Sequence, residues 1–451
     1  MENDISVLIN KIITDKDSPF YQISLKIIEL LKTSKVEDPP VFRKTLKKVT
    51  GKISGVFGIQ GATNFLRHYD LVEGKRKPTL AIYDHAFHFI GGAQKYGLTL
   101  AKALEEDFDI TIISNRNVTH ENFLEWYGLD LKKAGIKIVK IPYFDKRETS
   151  HIDPHRIMKG TPNPFHIISR ESGNYDIFIN NGMLEMVYPL SLISLLVCHF
   201  PERRPQSYFY SDKYSYTIYN SKYTAGWIKK RWKYEPHKHI YPPVDMEVYE
   251  PGQKKEKLIL SVARIEEGGT KKQKELASTF LELKNKFPEV SAGWKLVIAG
   301  GSAGDNPYLT ELKEIIGRAI DGSIELKINI SDDELKELYK KGSVFWHLCG
   351  LGQNDPAKVE HFGMTIGEAM QNRLAPIVFD GGGQKEIVDH GRSGFRCTSV
   401  KGLIRYTLKL MQDETLRKEL GENAYLKSLK FNRERFSREV RQFFKNIIPG
   451  I

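Results

Sequence analysis

The sequence predicts an α/β protein built from two parallel sheets covered by helices, preceded by a helical extension. Three observations predict it. From residue 79 onward, short apolar runs alternate with helical stretches, the pattern of a parallel sheet with crossover helices. A proline-rich stretch, YPPVDMEVYEPG at 241–252, divides that alternation into two series. Residues 1–78 read instead as helical segments joined by polar breaks, with Pro39-Pro40 marking one boundary. The length of 451 residues suits two domains with some chain to spare, since single cores rarely grow beyond about 250–300 residues.

The elements follow in order. Within the extension, Phe42, Leu46, Val49, Ile53, Val56 and Phe57 recur at three- and four-residue steps, while Arg43, Lys44, Lys47, Lys48 and Lys52 share the other face with no acid among them. Such a basic amphipathic helix can pack on its own protein or lie on an anionic membrane, and Gly51, Gly55 and Gly58 weaken it in isolation. PTLAIYDH is the first strand, GGAQKYGLTLAKALEE a loop and helix, and FDITIIS the next strand. IKIVKIPYF, YDIFINNG, SLISLLVCHF and YTIYNS continue the series before the helical TAGWIKKRW. The second series runs KLILSVAR, KLVIAGG, IELKINI, SVFWHL and APIVFD, each followed by a helix. The expected organisation is a helical N-terminal extension over 1–78, a Rossmann-like domain over 79–245 and a second over 246–430. Residues 431–451 then form a helix returning to the first domain, and the two domains face one another across a cleft.

Composition narrows the functional classes. Hydrophobic residues make up 40% and aromatics 11% of the chain, which is globular rather than disordered. Cys198, Cys349 and Cys397 are widely separated and form no metal-like spacing, so a reducing, cytoplasmic compartment is expected. No apolar run approaches the roughly 18 residues of a membrane span, and MENDISVLIN carries acids where a secretory signal needs bases. The net charge of +12 calls for an anionic partner. No zinc-finger, helix-turn-helix or RNA-binding signature accompanies it, so nucleic acid is not expected. Phosphorylated ligands and an anionic membrane surface remain, the latter implying a peripheral cytoplasmic location.

In open parallel sheets, ligands bind beyond the carboxyl ends of strands. Gly91 and Gly92 open a helix just after the first strand, where glycine admits an anion to backbone N–H groups or simply makes a turn. In LSVARIEEGGTKKQKELASTF, Arg264 ends a strand and Lys271 precedes a helix, either as two fixed cations for a diphosphate or, with Lys272 and Lys274, as part of a solvated basic loop. Lys272 stands beside Lys271 as the alternative. In VEHFGMTIGEAM, Glu360 precedes the Phe362-Gly363 turn and Glu368 lies about one turn into the following helix. Two acids so placed cannot share a proton, but can grip two hydroxyl-bearing parts of one extended ligand, while either alone reads as a surface helix charge. The N–H groups of Gly363, Met364 and Thr365 then face a phosphate or sugar oxygen. Gly381, Gly382 and Gly383 permit close backbone approach to a ligand.

GGAQKYGLTLAKAL, SVARIEEGGTKKQ, EHFGMTIGEAM and GGGQKEIVDHGRSGF, in this order over roughly residues 79–445, resemble the retaining glycosyltransferases of family 4, which have the GT-B fold. The EHFG form is similar to that of eukaryotic mannosyltransferases that extend lipid-linked oligosaccharides and of bacterial polysaccharide enzymes. The resemblance implies that Arg264 and Lys271 neutralise the nucleotide diphosphate in place of a metal ion. It implies that Glu360 contacts the donor sugar's hydroxyls, aided by backbone at Phe362, Gly363 and Met364, and that Glu368 holds the ribose. Gly91 and Gly92 would form the loop near phosphate and acceptor, and His199 would touch the donor sugar unless it is structural. No metal or other cofactor is implied. The donor is a GDP- or UDP-linked hexose and the acceptor a lipid-linked or other glycan. Residues 1–78 have no counterpart in the minimal family pattern, and EEGGTKK is longer than the common form of that loop. Asp107-Phe108-Asp109 imitates a metal-binding Asp-x-Asp but precedes a strand, so it reads as a turn. A nucleotide-sugar epimerase and a non-catalytic nucleotide-sugar-binding protein are the alternatives.

Overall fold

The computed structural model describes residues 2–15, 18–34, 39–141, 162–182, 185–203, 208–246, 248–250, 252–302, 304, 306–319 and 321–448. The chain forms two compact units. One comprises Met1–Tyr219, Ile228–Lys238 and Ser437–Ile451, the other Asn220–Trp227 and His239–Phe436.

The first unit holds a seven-stranded sheet of β1 (Thr79–Asp84), β2 (Asp109–Ser114), β3 (Gly135–Ile138), β4 (Ile177–Asn180), β5 (Ile193–Cys198), β6 (Tyr216–Tyr219) and β7 (Lys238–His239), in the order 3-2-1-4-5-6-7. The pairings from β3 through to β6 are parallel. Strands β4 and β5 are buried at every residue, as sheets covered on both faces require, which is why they read as unbroken apolar runs. The Asp107-Phe108-Asp109 stretch lies where the turn after helix Gly92–Leu104 enters β2.

Three N-terminal helices, Glu2–Ile13, Phe20–Thr33 and Pro39–Val72, share a core of Ile9, Ile13, Ile23, Ile27, Val49, Ile53 and Phe65. The third is kinked at Gly58, whose φ of 71° only glycine adopts readily. Its apolar stripe therefore packs on its own neighbours, with one correction: Val56, assigned to that stripe from its spacing, is 58% exposed. The extension is bolted to the sheet. Arg67 donates to the carbonyls of Gly173 and Asn174, both at 2.8 Å, and Arg76 grips the buried Asp176 with two bonds of 2.5 and 2.6 Å. Asp176 also accepts from the Thr79 N–H and hydroxyl, so removing Arg76 would strand a buried carboxylate. From Ser437 on, the last helix, Arg433–Ile447, belongs to this unit, with Phe444 against Phe108 and Arg441 bonded to the Ala103 carbonyl.

The second unit holds β8 (Leu258–Val262), β9 (Lys295–Gly300), β10 (Ile324–Ile328), β11 (Val344–His347), β12 (Ala375–Phe379) and β13 (Phe395–Cys397), all parallel, in the order 10-9-8-11-12-13. Renumbered from one, this is 3-2-1-4-5-6, the doubly wound order in which the sheet reverses direction beside its first strand. One face packs Trp294, Trp346, Phe280 and Leu312, the other Phe345, Ile366, Met370 and Val388. Each such buried side chain contributes about 1.5–3 kcal/mol. Two-residue β7 and three-residue β13 were not foreseen, because elements so short leave no periodic signal.

Candidate active site

In the second unit the reversal falls between β8 and β11. The loops leaving these two strands carry Arg264, Lys271 and Glu360. After β8 the chain turns sharply past β9, where a Cβ on Gly300 would lie 1.9 Å from the Ala263 carbonyl oxygen. Arg264 follows, its side chain 67% exposed and paired with Glu266 at 2.8 Å. The two candidate lysines then diverge. Lys271 Nζ reaches Glu360 Oε2 at 2.7 Å, whereas Lys272, in the left-handed conformation that starts helix Gln273–Lys286, pairs with Glu275 at 3.1 Å.

His347, the buried last residue of β11, places Nε2 2.9 Å from the same Glu360 oxygen. A carboxylate only accepts, so Nε2 carries the proton and donates. Burial opposes ionisation of Glu360, yet Lys271 and then His347 outweigh it and hold the carboxyl well below its ordinary range. Burial likewise opposes the charge on Lys271, and Glu360 outweighs it, so the ammonium stays protonated above its usual value. Arg264 is near enough for its charge to act on Lys271. Cys349 completes the cluster: His347, Cys349 and Glu360 offer ligand-type atoms within 4.8 Å of one another. Burial, followed by Glu360, pushes the Cys349 thiol up to about 12, so it is a neutral thiol beside a carboxylate already neutralised by lysine.

Beyond Glu360, Phe362 is buried between Tyr241 and Phe431, and Gly363 at φ 107° turns the chain into helix Met364–Gln371. Met364 and Thr365 are half-buried at its start, which has no side-chain cap, so its first N–H groups have no side chain bonding to them at the cap. Glu368 is buried and accepts from the fully buried Tyr339 hydroxyl at 2.9 Å. The triple glycine has a different use from the one its spacing suggested. A Cβ on Gly382 would stand 2.2 Å from the Glu360 carbonyl oxygen, and one on Gly383 2.1 Å from that of His361. The Gly383 N–H donates to the Glu360 carbonyl at 2.9 Å. The chain approached is the Glu360–Phe362 segment, which these glycines hold in place.

In the first unit the reversal falls between β1 and β4. There the buried Asp84 carboxyl accepts from the Ala86 N–H at 2.8 Å, from Gln94 at 3.2 Å and from Asn181 at 2.6 Å. Asn181 lies 3.4 Å from His199 Nε2, and the His199 ring meets Tyr96 edge-on. Gly91 and Gly92 start the helix beside this network. The Gly91 N–H is taken by the Tyr127 hydroxyl at 2.9 Å, and Gly91 has an extended φ of −167° that any residue adopts. Its side-chain space is filled by Gln94, whose Oε1 would lie 2.5 Å from an added Cβ.

Arg264, Lys271 and Glu360 thus come together as one charged group, and Phe362, Gly363, Met364, Thr365 and Glu368 follow Glu360 along one loop and helix. Gly91, Gly92 and His199 belong to the other unit. Sequence reasoning missed His347, Tyr339, Asp84 and Asn181. Three of them carried a signal: a polar residue at, or one residue beyond, the carboxyl end of an apolar strand, where the fold puts its ligands. Tyr339 carried none, since a tyrosine within a helix reads as core.

Residues 249–427 match the family model described as glycosyl transferases group 1. Among curated proteins, the chain is 27% identical over 237 residues to the mouse GDP-Man:Man(3)GlcNAc(2)-PP-Dol alpha-1,2-mannosyltransferase. That alignment takes in 48% of this chain and 45% of the relative, so it spans about half of that protein. Among solved structures, HepE from Anabaena, crystallised with UDP and glucose, is 15% identical with a TM-score of 0.60, covering 82% of this chain and 99% of its own. A glycosyltransferase from Rickettsia africae is 17% identical with a TM-score of 0.62, covering 83% and 100%. Sucrose-phosphate synthase from Thermosynechococcus elongatus is 14% identical with a TM-score of 0.61, covering 82% and 99%. The chain has the fold of these structures, two parallel α/β sheets of the GT-B kind, together with an N-terminal helical region. No described helix is long and apolar enough to cross a membrane.

Proposed function

We propose that the protein is a retaining glycosyltransferase that moves a hexosyl residue from a nucleotide-sugar to a hydroxyl of a lipid-linked or other glycan acceptor, without a metal ion. The observation that carries this reading is the Lys271–Glu360–His347 group on the loops leaving β8 and β11, within the stretch matching the family model. Lys271 and Arg264 supply fixed positive charge for the departing diphosphate, the role a cation plays in this chemistry. Glu360, kept ionised by Lys271, accepts hydrogen bonds from donor-sugar hydroxyls, and binding draws Lys271 toward the phosphates. His347 aims Glu360 rather than touching substrate. Glu368, oriented by Tyr339, accepts from the ribose diol, as acids do in related dinucleotide sites.

The acceptor oxygen forms the new glycosidic bond as the bond to the diphosphate breaks. The departing phosphate oxygen takes the acceptor's proton on the same face, and the products are glycoside and nucleoside diphosphate. The mouse relative acts on GDP-mannose and a dolichol-diphosphate oligosaccharide, and this favours GDP-mannose and a lipid-linked acceptor as the first pair to test.

The test is incubation with GDP-mannose, or with UDP-hexoses, in the presence and absence of an isoprenoid-diphosphate oligosaccharide. Transfer with retained anomeric configuration, unaffected by EDTA, is the expected result. Conversion of donor alone into a new nucleotide-sugar would replace this reading with an epimerase, and saturable donor binding without any product would replace it with a binding protein. Loss of activity in EDTA restored by Mn²⁺ would overturn metal independence.

A further inference from the structure

The N-terminal helical region has a face whose composition internal packing does not require. Before its kink, helix Pro39–Val72 buries Val49 and Ile53 and rests Phe42 and Leu46 on the N-terminal core. The opposite arc exposes Arg43, Lys44, Lys47 and Lys48 together with Val41 and Val56, 41% and 58% exposed. At helical periodicity Gly51 and Gly55 fall on the same arc, and just past the kink Ile59 is 81% exposed. No acidic residue occurs from Pro39 to Tyr69, and among the described residues no ion pair involves Arg43, Lys44 or Lys47. Lys52 is different: it turns onto the first helix and donates to Asn10 at 3.0 Å.

The glycines supply a separate observation. A Cβ on Gly51 or Gly55 would meet nothing within 4 Å, so neither glycine makes room for a neighbour inside the protein. Glycine disfavours a helix interior, yet two occur on this exposed arc. They leave the backbone low between the basic side chains, where a flat external surface could lie close.

We propose that this arc docks on an anionic lipid bilayer, with Arg43, Lys44, Lys47 and Lys48 at the headgroup phosphates and Val41, Val56 and Ile59 reaching the acyl boundary. Basic residues interleaved with exposed aliphatic ones are what an interfacial helix presents. Single-stranded nucleic acid fits less well, because its binding without base readout uses exposed aromatic rings, and Phe42 and Phe57 are packed against the N-terminal core. A second basic run, Lys229–Arg231, does not compete: Lys229 pairs with Glu235, Arg231 stacks on Phe200, and Trp232 is buried. The proposal goes beyond the glycosyl-transfer reading and stands whether or not the acceptor carries a lipid.

The test is co-sedimentation of the full chain with vesicles of phosphatidylcholine alone and of phosphatidylcholine mixed with phosphatidylserine, at low and high salt. Binding to the anionic vesicles only, weakened by salt, is expected. Arg43→Ala, Lys44→Ala and Lys47→Ala together should lower partitioning by about a hundredfold, at about fivefold per charge. Val56→Ser with Ile59→Ser, which leaves the charge unchanged, should lower it further in low salt, which a purely electrostatic attachment would not do. Thermal melting of each variant at the wild-type temperature establishes that it is folded. Equal sedimentation with neutral and anionic vesicles, or undiminished binding by the folded triple variant, overturns the proposal. So does single-stranded RNA that binds this arc while anionic vesicles do not.

Discussion

At the reversal point of the first sheet, the buried Asp84 carboxyl is used up by Ala86, Gln94 and Asn181. At the reversal point of the second, Lys271, Glu360 and His347 form a partly accessible charged group, with Arg264 exposed nearby. Strand order is the same around both points. The comparison teaches that topology supplies a place where loops diverge, while the side chains there decide what the place does. In the first sheet they tie loops to one another. In the second they gather a lysine and a histidine on one carboxylate oxygen.

The largest expected effect separates these roles directly. Lys271→Ala should lower turnover about 10²–10³-fold at saturating donor, since transition-state charge loses its fixed partner, and should also lower the melting temperature, since Glu360 loses the cation that holds it ionised. Lys272→Ala, whose partner is Glu275, should leave turnover within a few-fold. Unchanged turnover in Lys271→Ala would take the lysine out of the reaction.

Acid should then act on the two units differently. Burial, against an opposing pull from Asp176, lowers the pKa of His68 from 6.5 to about 4. Above pH 6.5 the imidazole is neutral in folded and unfolded chains alike and pH has no leverage. As pH falls from 6.5 toward 4 only the unfolded chain gains the proton, so up to about 3 kcal/mol of stability is lost. Glu360 lies well below its ordinary value and stays ionised over that window. Hydrogen exchange at pH 7, 5 and 4 should therefore show the N-terminal helices loosening before the Lys271–Glu360 segment. His68→Gln should remove the difference, and loosening in the reverse order would refute the assignment.

Smaller still, Asp84→Ala leaves the Ala86 N–H without its acceptor and the Asn181 amide with only the Ala93 carbonyl, and should cost about 1–3 kcal/mol, read as a lowered melting temperature. If the proposed transfer holds, the folded variant should keep most of its turnover. The least effect is expected from Tyr339→Phe, which removes one hydrogen bond to Glu368, about 1 kcal/mol. It should raise the donor KM about fivefold with kcat little changed, whereas a purely structural tyrosine would alter only the melting temperature.

Much of the fold was legible because its signals are local. Buried parallel strands read as apolar runs, and YPPVDMEVYEPG interrupted them in the right region. Arg264 was legible because it lies just past an apolar strand, and Lys271 and Glu360 because each shortly precedes a helix on a loop leaving such a strand. The choice between Lys271 and Lys272 was not, since adjacent residues differ only in direction, and that depends on the left-handed backbone at Lys272. Nor was the use of Gly382 and Gly383, whose neighbours are some twenty residues away along the chain.

By itself the sequence determined the α/β class, the helical start and which loops carry charge, because periodicity and strand-end position are properties of a few consecutive residues. Only the tertiary structure decided that His347 and Lys271 converge on one oxygen of Glu360, that Tyr339 holds Glu368, and that Val56 faces outward. Those contacts join residues far apart in the chain, and their geometry exists only once packing has brought the strands and helices together.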